Sequence, residues 1–237
     1  MKMTKYQILY LVIFSAIAAL FLYYPQLDLY VSGLFFHEKV NMISDEPMVF
    51  GFFLGKNPVF AFLRESVKYV TICIAVFLFF MLGLNYLKKS DILGFTKKKI
   101  AYLILCLAVG PGLVVNAIFK DNWGRARPHQ VENFSGKKEF TPPFIMTDQC
   151  ERNCSFTSGD PSVGFFFFSF AFAFPKRRKQ FAILATMLGS VYGVTRIVQG
   201  AHFLSDVIFS GLFVLGMCHV LHKLMFREEK ENIEKTP

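Results

Sequence analysis

Six long apolar runs, at about 6–24, 67–87, 100–119, 161–175, 181–199 and 203–225, constrain this chain more than any other feature. An α-helix rises 1.5 Å per residue, so about 20 apolar residues cross a hydrocarbon core of ~30 Å. In lipid the backbone must satisfy its own N–H and C=O groups, and a helix does so within one segment. The runs therefore predict an all-α, polytopic membrane protein with six transmembrane helices. The fourth run is short for a span, yet its GFFFFSFAFAF centre is apolar throughout. Phe165 to Phe168 within it read as lipid-facing and core surface. Composition agrees, with 54% hydrophobic residues and 30 Phe in 237. Few soluble chains of this size are so apolar.

The first run follows Met-Lys-Met-Thr-Lys. A cleaved signal peptide is one reading of it. No small-x-small cleavage site follows, and the run is long enough to span, so a retained signal-anchor helix is the better one. The net charge is +9, with an isoelectric point near 9.3. Nucleic acid could explain such a balance, but the basic clusters fall between apolar runs, which argues against it. Lys2 and Lys5, Lys88 to Lys99, Lys176 to Lys179, and the tail from Lys223 share one side if six helices alternate. By the positive-inside rule that side is the cytoplasm. Residues 25–66, residues 120–160 and the turn from Arg196 to His202 then face outward. Residues 25–66 predict short interfacial helices rather than a second domain. Residues 1–237 read as one integral membrane domain, with a charged cytoplasmic tail from about 226.

Of five cysteines, Cys73, Cys106 and Cys218 lie inside apolar runs and read as small packing residues. Cys150 and Cys154 sit in the outward loop just before Ser155-Phe156-Thr157-Ser158. An oxidising compartment permits a disulfide between them. A structural metal is the competing reading, short of companion ligands.

Charged residues beside membrane spans are costly and so are functional suspects. Lys120 and Arg127 occur in KDNWGRARP, Ser158 and Gly159 in TSGD, Arg196 and His202 in TRIVQGAH, and Asp206 in FLSD. Lys supplies a compact cation and Arg a planar fork matched to phosphate oxygens. Ser158-Gly159 precedes a helix start, where backbone N–H groups favour anions. Asp160 and Pro161 read as helix-start residues. His202 and Asp206 are four residues apart, a spacing that shares one helix face and lets a carboxylate orient an imidazole. A histidine so held can attack phosphorus and form a phosphoenzyme that water cleaves. Three cations already offset the phosphate charge, so no metal or other cofactor is needed. Each of these residues alone has a bland reading: Lys120 or Arg196 as a snorkelling interfacial anchor, His202 as a cap, Asp160 as an N-cap. Arg125 is a possible fourth phosphate contact.

Together the blocks resemble the type 2 phosphatidic acid phosphatase (PAP2) superfamily, whose signature runs K-x6-RP, PSGH, SR-x5-H-x3-D. Here six residues separate Lys120 from Arg127-Pro128, five separate Thr195-Arg196 from His202, and three separate His202 from Asp206. The resemblance implies a six-helix membrane bundle with an outward site, phosphate held by Lys120, Arg127, Ser158, Gly159 and Arg196, and His202 as nucleophile backed by Asp206. Two positions depart from the pattern. Thr195 replaces Ser, and Asp160 stands where the family has the histidine that protonates the leaving alkoxide. Either Asp160 does that work, or His129 has taken it over, or the site is dead. Within the superfamily, Cys-x3-Cys-Ser-Phe-Thr-Ser-Gly-Asp is most similar to bacterial lipid A phosphatases of the 4′ type. That subgroup implies lipid A and membrane lipids as partners, in the inner membrane with the site toward the periplasm. Undecaprenyl pyrophosphate, a glycerophospholipid, or a binding protein without turnover are the alternatives.

Overall fold

A computed structural model describes residues 4–40 and 47–227, with the side chains of 38–40 and 47–50 excluded. The charged tail beyond Arg227 therefore lies outside the described residues. Eight α-helices carry the fold: α1 (Lys5–Tyr23), α2 (Gln26–Gly33), α3 (Pro58–Lys88), α4 (Lys97–Leu107), α5 (Gly159–Phe165), α6 (Phe168–Ala173), α7 (Arg178–Val198) and α8 (Leu204–Met225). A π-helix, Ala108–Lys120, continues α4 directly. Pro111 lies inside it and cannot donate to the helical ladder. Among the described residues, five segments are long and apolar enough to cross a membrane: α1, α3, α4 with its π continuation, α7 with the 3-10 turn before it, and α8.

The fourth predicted span is interrupted. Between α5 and α6 the bonding shifts from i−4 to i−3, with Phe167 N–H donating to Gly164 and Ser169 N–H to Phe166. Phe166 and Phe167 nevertheless keep helical dihedrals, so the segment holds its direction. It is also the centre of the bundle rather than a lipid-facing surface. Phe165 and Phe166 are buried, in a core with Val163, Phe170, Tyr192, Val207 and Val214. Small residues allow this central position. A Cβ on Gly164 would lie 2.4 Å from the Gly189 backbone nitrogen of α7, so the two backbones are in direct contact. Close approach of this kind is how membrane helices gain packing energy.

α3 starts well before the predicted 67. Asn57 caps it, accepting from Val59 N–H at 2.9 Å, and Pro58 occupies its first turn. At 31 residues it is ~46 Å long, so part of it stands outside the hydrocarbon. α1 packs on the flank of α8 by one stripe. Tyr10 Oη donates to Leu212 O at 2.8 Å, and Phe14 and Phe21 meet Phe209. Its other faces, like those of α3, expose large apolar side chains, as lipid contact requires.

The stretch 25–66 holds one short helix, as expected, but also an antiparallel hairpin, β1 (Phe36–Val40) with β2 (Pro47–Phe52). Phe36 and Phe52 oppose each other across it and pack on Phe134. That small core, with Ala126, Val131 and Phe203, seals one end of the bundle. Basic segments gather at the other end. Lys99 lies over the Phe174 ring at 4.8 Å, Lys98 over Phe226 at 5.0 Å, and Arg178 over Phe172 at 5.6 Å.

Candidate active site

Backbone hydrogen bonds draw the three sequence blocks together at the sealed end. Cys154 N–H donates to Lys120 O and Ser155 N–H to Arg125 O, both at 2.8 Å. Ser158 N–H donates to Asp206 O at 3.2 Å, and His129 N–H to Gly200 O at 3.0 Å. Gly200 makes the turn between α7 and α8. Its φ is +63°, and a Cβ there would strike the Phe52 ring at 2.1 Å. Only glycine satisfies both conditions.

His202 is buried at the centre of these contacts. Its Nδ1 lies 2.7 Å from Ser155 O. A carbonyl oxygen can only accept, so Nδ1 carries the proton and the Nε2 lone pair is left for chemistry. Burial pushes the His202 pKa down to about 4, against the pull of Asp206, with the Arg127 and Arg196 charges adding to the fall. The ring is therefore neutral at physiological pH.

Asp206 does not hold that ring in the way its spacing predicts. Its Oδ2 is 3.7 Å from His202 Nδ1. The physical reason is local: α8 begins at Leu204, so His202 lies before the first helical residue and the i, i+4 geometry does not extend back to it. Asp206 instead caps its own helix, accepting from Phe203 N–H at 2.8 Å, and takes the Ser155 hydroxyl at 2.6 Å. It fixes the residue whose carbonyl fixes the histidine.

Arg125 is not a phosphate contact. It is fully buried, and its donors go to Asp206 Oδ1 at 2.6 Å, Asp28 Oδ2 at 2.8 Å, Ser205 Oγ at 2.9 Å and Thr141 O at 2.8 Å. Phe203 covers its guanidinium at 4.4 Å. Burial works against that charge, but Asp206 and Asp28 more than offset it and its pKa is raised.

The remaining cations converge on the start of α5. Arg127 is clamped by Asn153, through Nη2 to the carbonyl at 2.8 Å and to Oδ1 at 3.0 Å. A disulfide joins Cys150 to Cys154 and closes the loop that carries Asn153. Arg196 reaches Asp160, Nε to Oδ2 at 3.1 Å, and donates from Nη1 to Gln199 Oε1 at 2.6 Å. Lys120 Nζ comes so near the helix start that a Cβ on Gly159 would sit 3.3 Å from it and 2.8 Å from Asn116 Oδ1. Ser158 is buried, and its Oγ has no partner among the described residues. An unpaired buried hydroxyl is costly unless a ligand completes it. A cleft of about 240 Å³ opens beside these groups, lined by Val67 and Thr71 of α3, Asn116, Gly159, Asp160 and Val163. His129 lies to one side, with Nδ1 on Gly200 O at 2.8 Å.

The matched family model, the PAP2 superfamily, spans residues 101–230, which include all three blocks. The chain belongs to the PAP2 superfamily. Among curated relatives, a lipid A 4′-phosphatase of Francisella tularensis subsp. novicida is 37% identical, covering 89% of this chain and 91% of its own length. A lipid A 4′-phosphatase of Rhizobium leguminosarum is 29% identical over 83% of this chain and 86% of its own. A lipid A 1-phosphatase of Rhizobium etli is 36% identical over 78% and 85%. No solved structure matches significantly. Motif spacing in this PAP2 chain pointed to Lys120, Arg127, Ser158, Gly159, Arg196, His202 and Asp206, and the fold gathers them. Sequence reasoning missed Asp28, Asn116, Asn153 and Ser155. Asp28 carried one faint signal, a carboxylate within the apolar stretch LDLYV.

Proposed function

We propose that this phosphatase removes a phosphate monoester from lipid A, the 4′-phosphate, at the periplasmic face of the inner membrane and through a phosphohistidine on His202. One observation carries the chemistry: a buried neutral imidazole, proton on Nδ1, under the charges of Arg127 and Arg196, with Lys120 and an unpaired serine hydroxyl at the start of α5.

The phosphoryl group sits at the start of α5. Lys120, Arg127 and Arg196 offset its charge, Ser158 Oγ donates to one oxygen, and the backbone at Gly159 admits another. The Nε2 lone pair of His202 attacks phosphorus as the P–O bond to the sugar breaks. The arriving phosphoryl group takes Arg196 over from its ion pair with Asp160, and the carboxyl, protonated as that pair opens, gives its proton to the departing sugar oxygen. The ring, still protonated at Nδ1, is now cationic and rests on Ser155 O and the Asp206 charge. Water then attacks phosphorus, giving its proton to the Asp160 carboxylate. The P–N bond breaks, inorganic phosphate leaves and the enzyme returns to its first state. Charge spread over the phosphoryl oxygens in both transition states explains the cluster of cations.

The basic segments gathered at the end away from the site support this orientation, since such segments tend to stay in the cytoplasm. In this reading the N-terminus and the tail are cytoplasmic. Lipid A as substrate is supported by the relatives and by the Cys-x3-Cys-Ser-Phe-Thr-Ser-Gly-Asp block. Mass spectrometry of lipid A from Gram-negative cells expressing the wild type or His202→Ala tests the proposal. The expected result is loss of one phosphate with the wild type only, placed at the 4′ position by fragmentation. Loss at position 1 would transfer the activity to the other relative's type. Unchanged lipid A despite confirmed expression would end the lipid A reading and send the purified protein to undecaprenyl pyrophosphate.

A further inference from the structure

One carboxylate belongs to none of the three blocks, lies outside the region matched by the PAP2 model, and is yet fully buried beside the site. Asp28 reaches in from α2. Its Oδ1 accepts from Ser205 N–H at 2.8 Å, and its Oδ2 from Arg125 Nη2 at 2.8 Å and Ser205 Oγ at 2.5 Å. Arg125 then bonds to Asp206 Oδ1, and the other oxygen of Asp206 lies 3.7 Å from His202 Nδ1. Asp28, Arg125, Asp206 and His202 form one continuous buried row, with side-chain exposures of 0%, 0%, 0% and 1%.

The charges in that row decide what it can do. Arg125 alone would neutralise Asp206, and a neutral pair does little for a cation forming on the neighbouring ring. Burial raises the Asp28 pKa and the Asp206 charge adds to the rise, while the Arg125 ion pair and the Ser205 hydrogen bonds favour the carboxylate; ionised, Asp28 gives the row a surplus of one negative charge. Burial keeps water from screening it, so the surplus acts strongly on a group a few ångströms away. The other charged groups that bear on His202 are Arg127 and Arg196, both of the opposite sign. The arriving phosphoryl group offsets those two, but nothing in it offsets the cationic ring. Replacing a buried carboxylate by an amide would also leave Arg125 sharing one carboxylate instead of two, a loss felt in folding.

We propose that Asp28 is a positioning residue that acts through Arg125: it offsets the arginine charge so that Asp206 stabilises His202 when the ring becomes cationic. The proposal rests on the reading of His202 as nucleophile. It also makes α2 part of the working site, although α2 contacts no substrate in this role.

The test uses the full chain, purified in detergent, with kcat and KM for lipid A measured across pH for the wild type, Asp28→Asn, Asp28→Glu and His202→Ala. An active wild type and an inactive His202→Ala establish the nucleophile first. If His202→Ala keeps turnover, that reading fails, whatever Asp28 does. For Asp28→Asn we expect kcat to fall about 10- to 100-fold with KM nearly unchanged, the scale seen when an outer partner of a reacting group is removed. Loss of negative charge also lowers the His202 pKa, so the acid limb of kcat/KM moves to lower pH. Ionisation of the substrate is common to all variants and cancels in the comparison. Asp28→Glu should recover most of kcat. A folded Asp28→Asn protein with wild-type kcat, or one with low kcat and an unmoved acid limb, would overturn the proposal. If Asp28→Asn does not fold, the double variant Asp28→Asn with Arg125→Gln carries the test, because it leaves Asp206 as the only charge in the row. Turnover within about tenfold of wild type supports the charge balance. Loss as complete as that of His202→Ala, or failure of the double variant to fold, overturns it.

Discussion

Mild acid should destabilise this protein through one residue. An imidazole in the unfolded chain titrates near 6.5, whereas burial holds His202 down to about 4 in the fold. Between those values the unfolded chain binds a proton that the folded chain refuses. The stability from His202 is thus complete above about pH 6.5 and drains away as pH falls toward 4. Linkage between these two pKa values gives a loss of about 2 kcal/mol from pH 7 to pH 5. For a chain of this size each kcal/mol shifts the melting point by about 2–4 °C, so a fall of ~4–8 °C is expected. The assay is thermal unfolding of the detergent-purified protein at pH 7, 6 and 5, beside His202→Gln, whose side chain does not titrate. The rest of the chain is common to both proteins, so the difference curve reports His202 together with the Asp206 carboxylate coupled to it. The wild type should lose stability faster than His202→Gln across this window. Parallel curves would show that the fold does not hold the ring neutral, and the free Nε2 lone pair would lose its physical basis.

Two further outcomes follow from distances in the structure. Gly164→Ala puts a Cβ 2.4 Å from the Gly189 nitrogen and 2.6 Å from the Leu188 carbonyl carbon, both backbone atoms that cannot swing away. Overpacking of this kind costs about 1–3 kcal/mol, and a thermal melt unchanged from wild type would contradict the direct contact of α5 and α7. Asn153→Ala removes the side-chain half of the Arg127 clamp. A charged hydrogen bond in a partly exposed position is worth about 1 kcal/mol, so KM should rise ~5-fold with kcat less affected. Mild reductant should raise KM in the wild type too, by freeing the loop that the Cys150–Cys154 disulfide closes, and should add little in Cys150→Ser with Cys154→Ser. Equal KM values throughout would show that the loop does not position Arg127.

Much of the site was legible because its residues sit at fixed spacings near helix ends. Lys120 ends one apolar run, and Ser158, Arg196 and His202 flank others, so alternation alone brings them to one end of the bundle. The part that misled was local geometry. The i, i+4 spacing of His202 and Asp206 suggests a shared helical face, but the helix starts only at Leu204, and the carboxylate turns to cap it. Arg125 sits two residues from Arg127 and has the same chemistry on paper. Only the burial of its guanidinium between two carboxylates separates a structural arginine from a phosphate-binding one. The Phe165–Phe168 run, read as both lipid-facing and core surface, divides into buried Phe165 and Phe166 and half-buried Phe167 and Phe168, a division the sequence could not make. Hydropathy records that a residue avoids water, and it cannot say whether lipid or protein replaces the water.

The sequence already carried the reading of a helical membrane protein of the PAP2 type, with the cations of the candidate site at one end and its lysine clusters at the other. Those features are written in run length, charge placement and short-range spacing. Tertiary structure decided which groups touch. It bonded Ser155 O rather than Asp206 to His202 Nδ1, set Asn153 on Arg127, folded a hairpin over the end of the bundle, and brought Asp28 from α2 to Arg125 across 97 residues of chain. A buried charge must find its partner wherever the fold supplies one, and that choice depends on packing between segments whose separation in sequence carries no periodic signal.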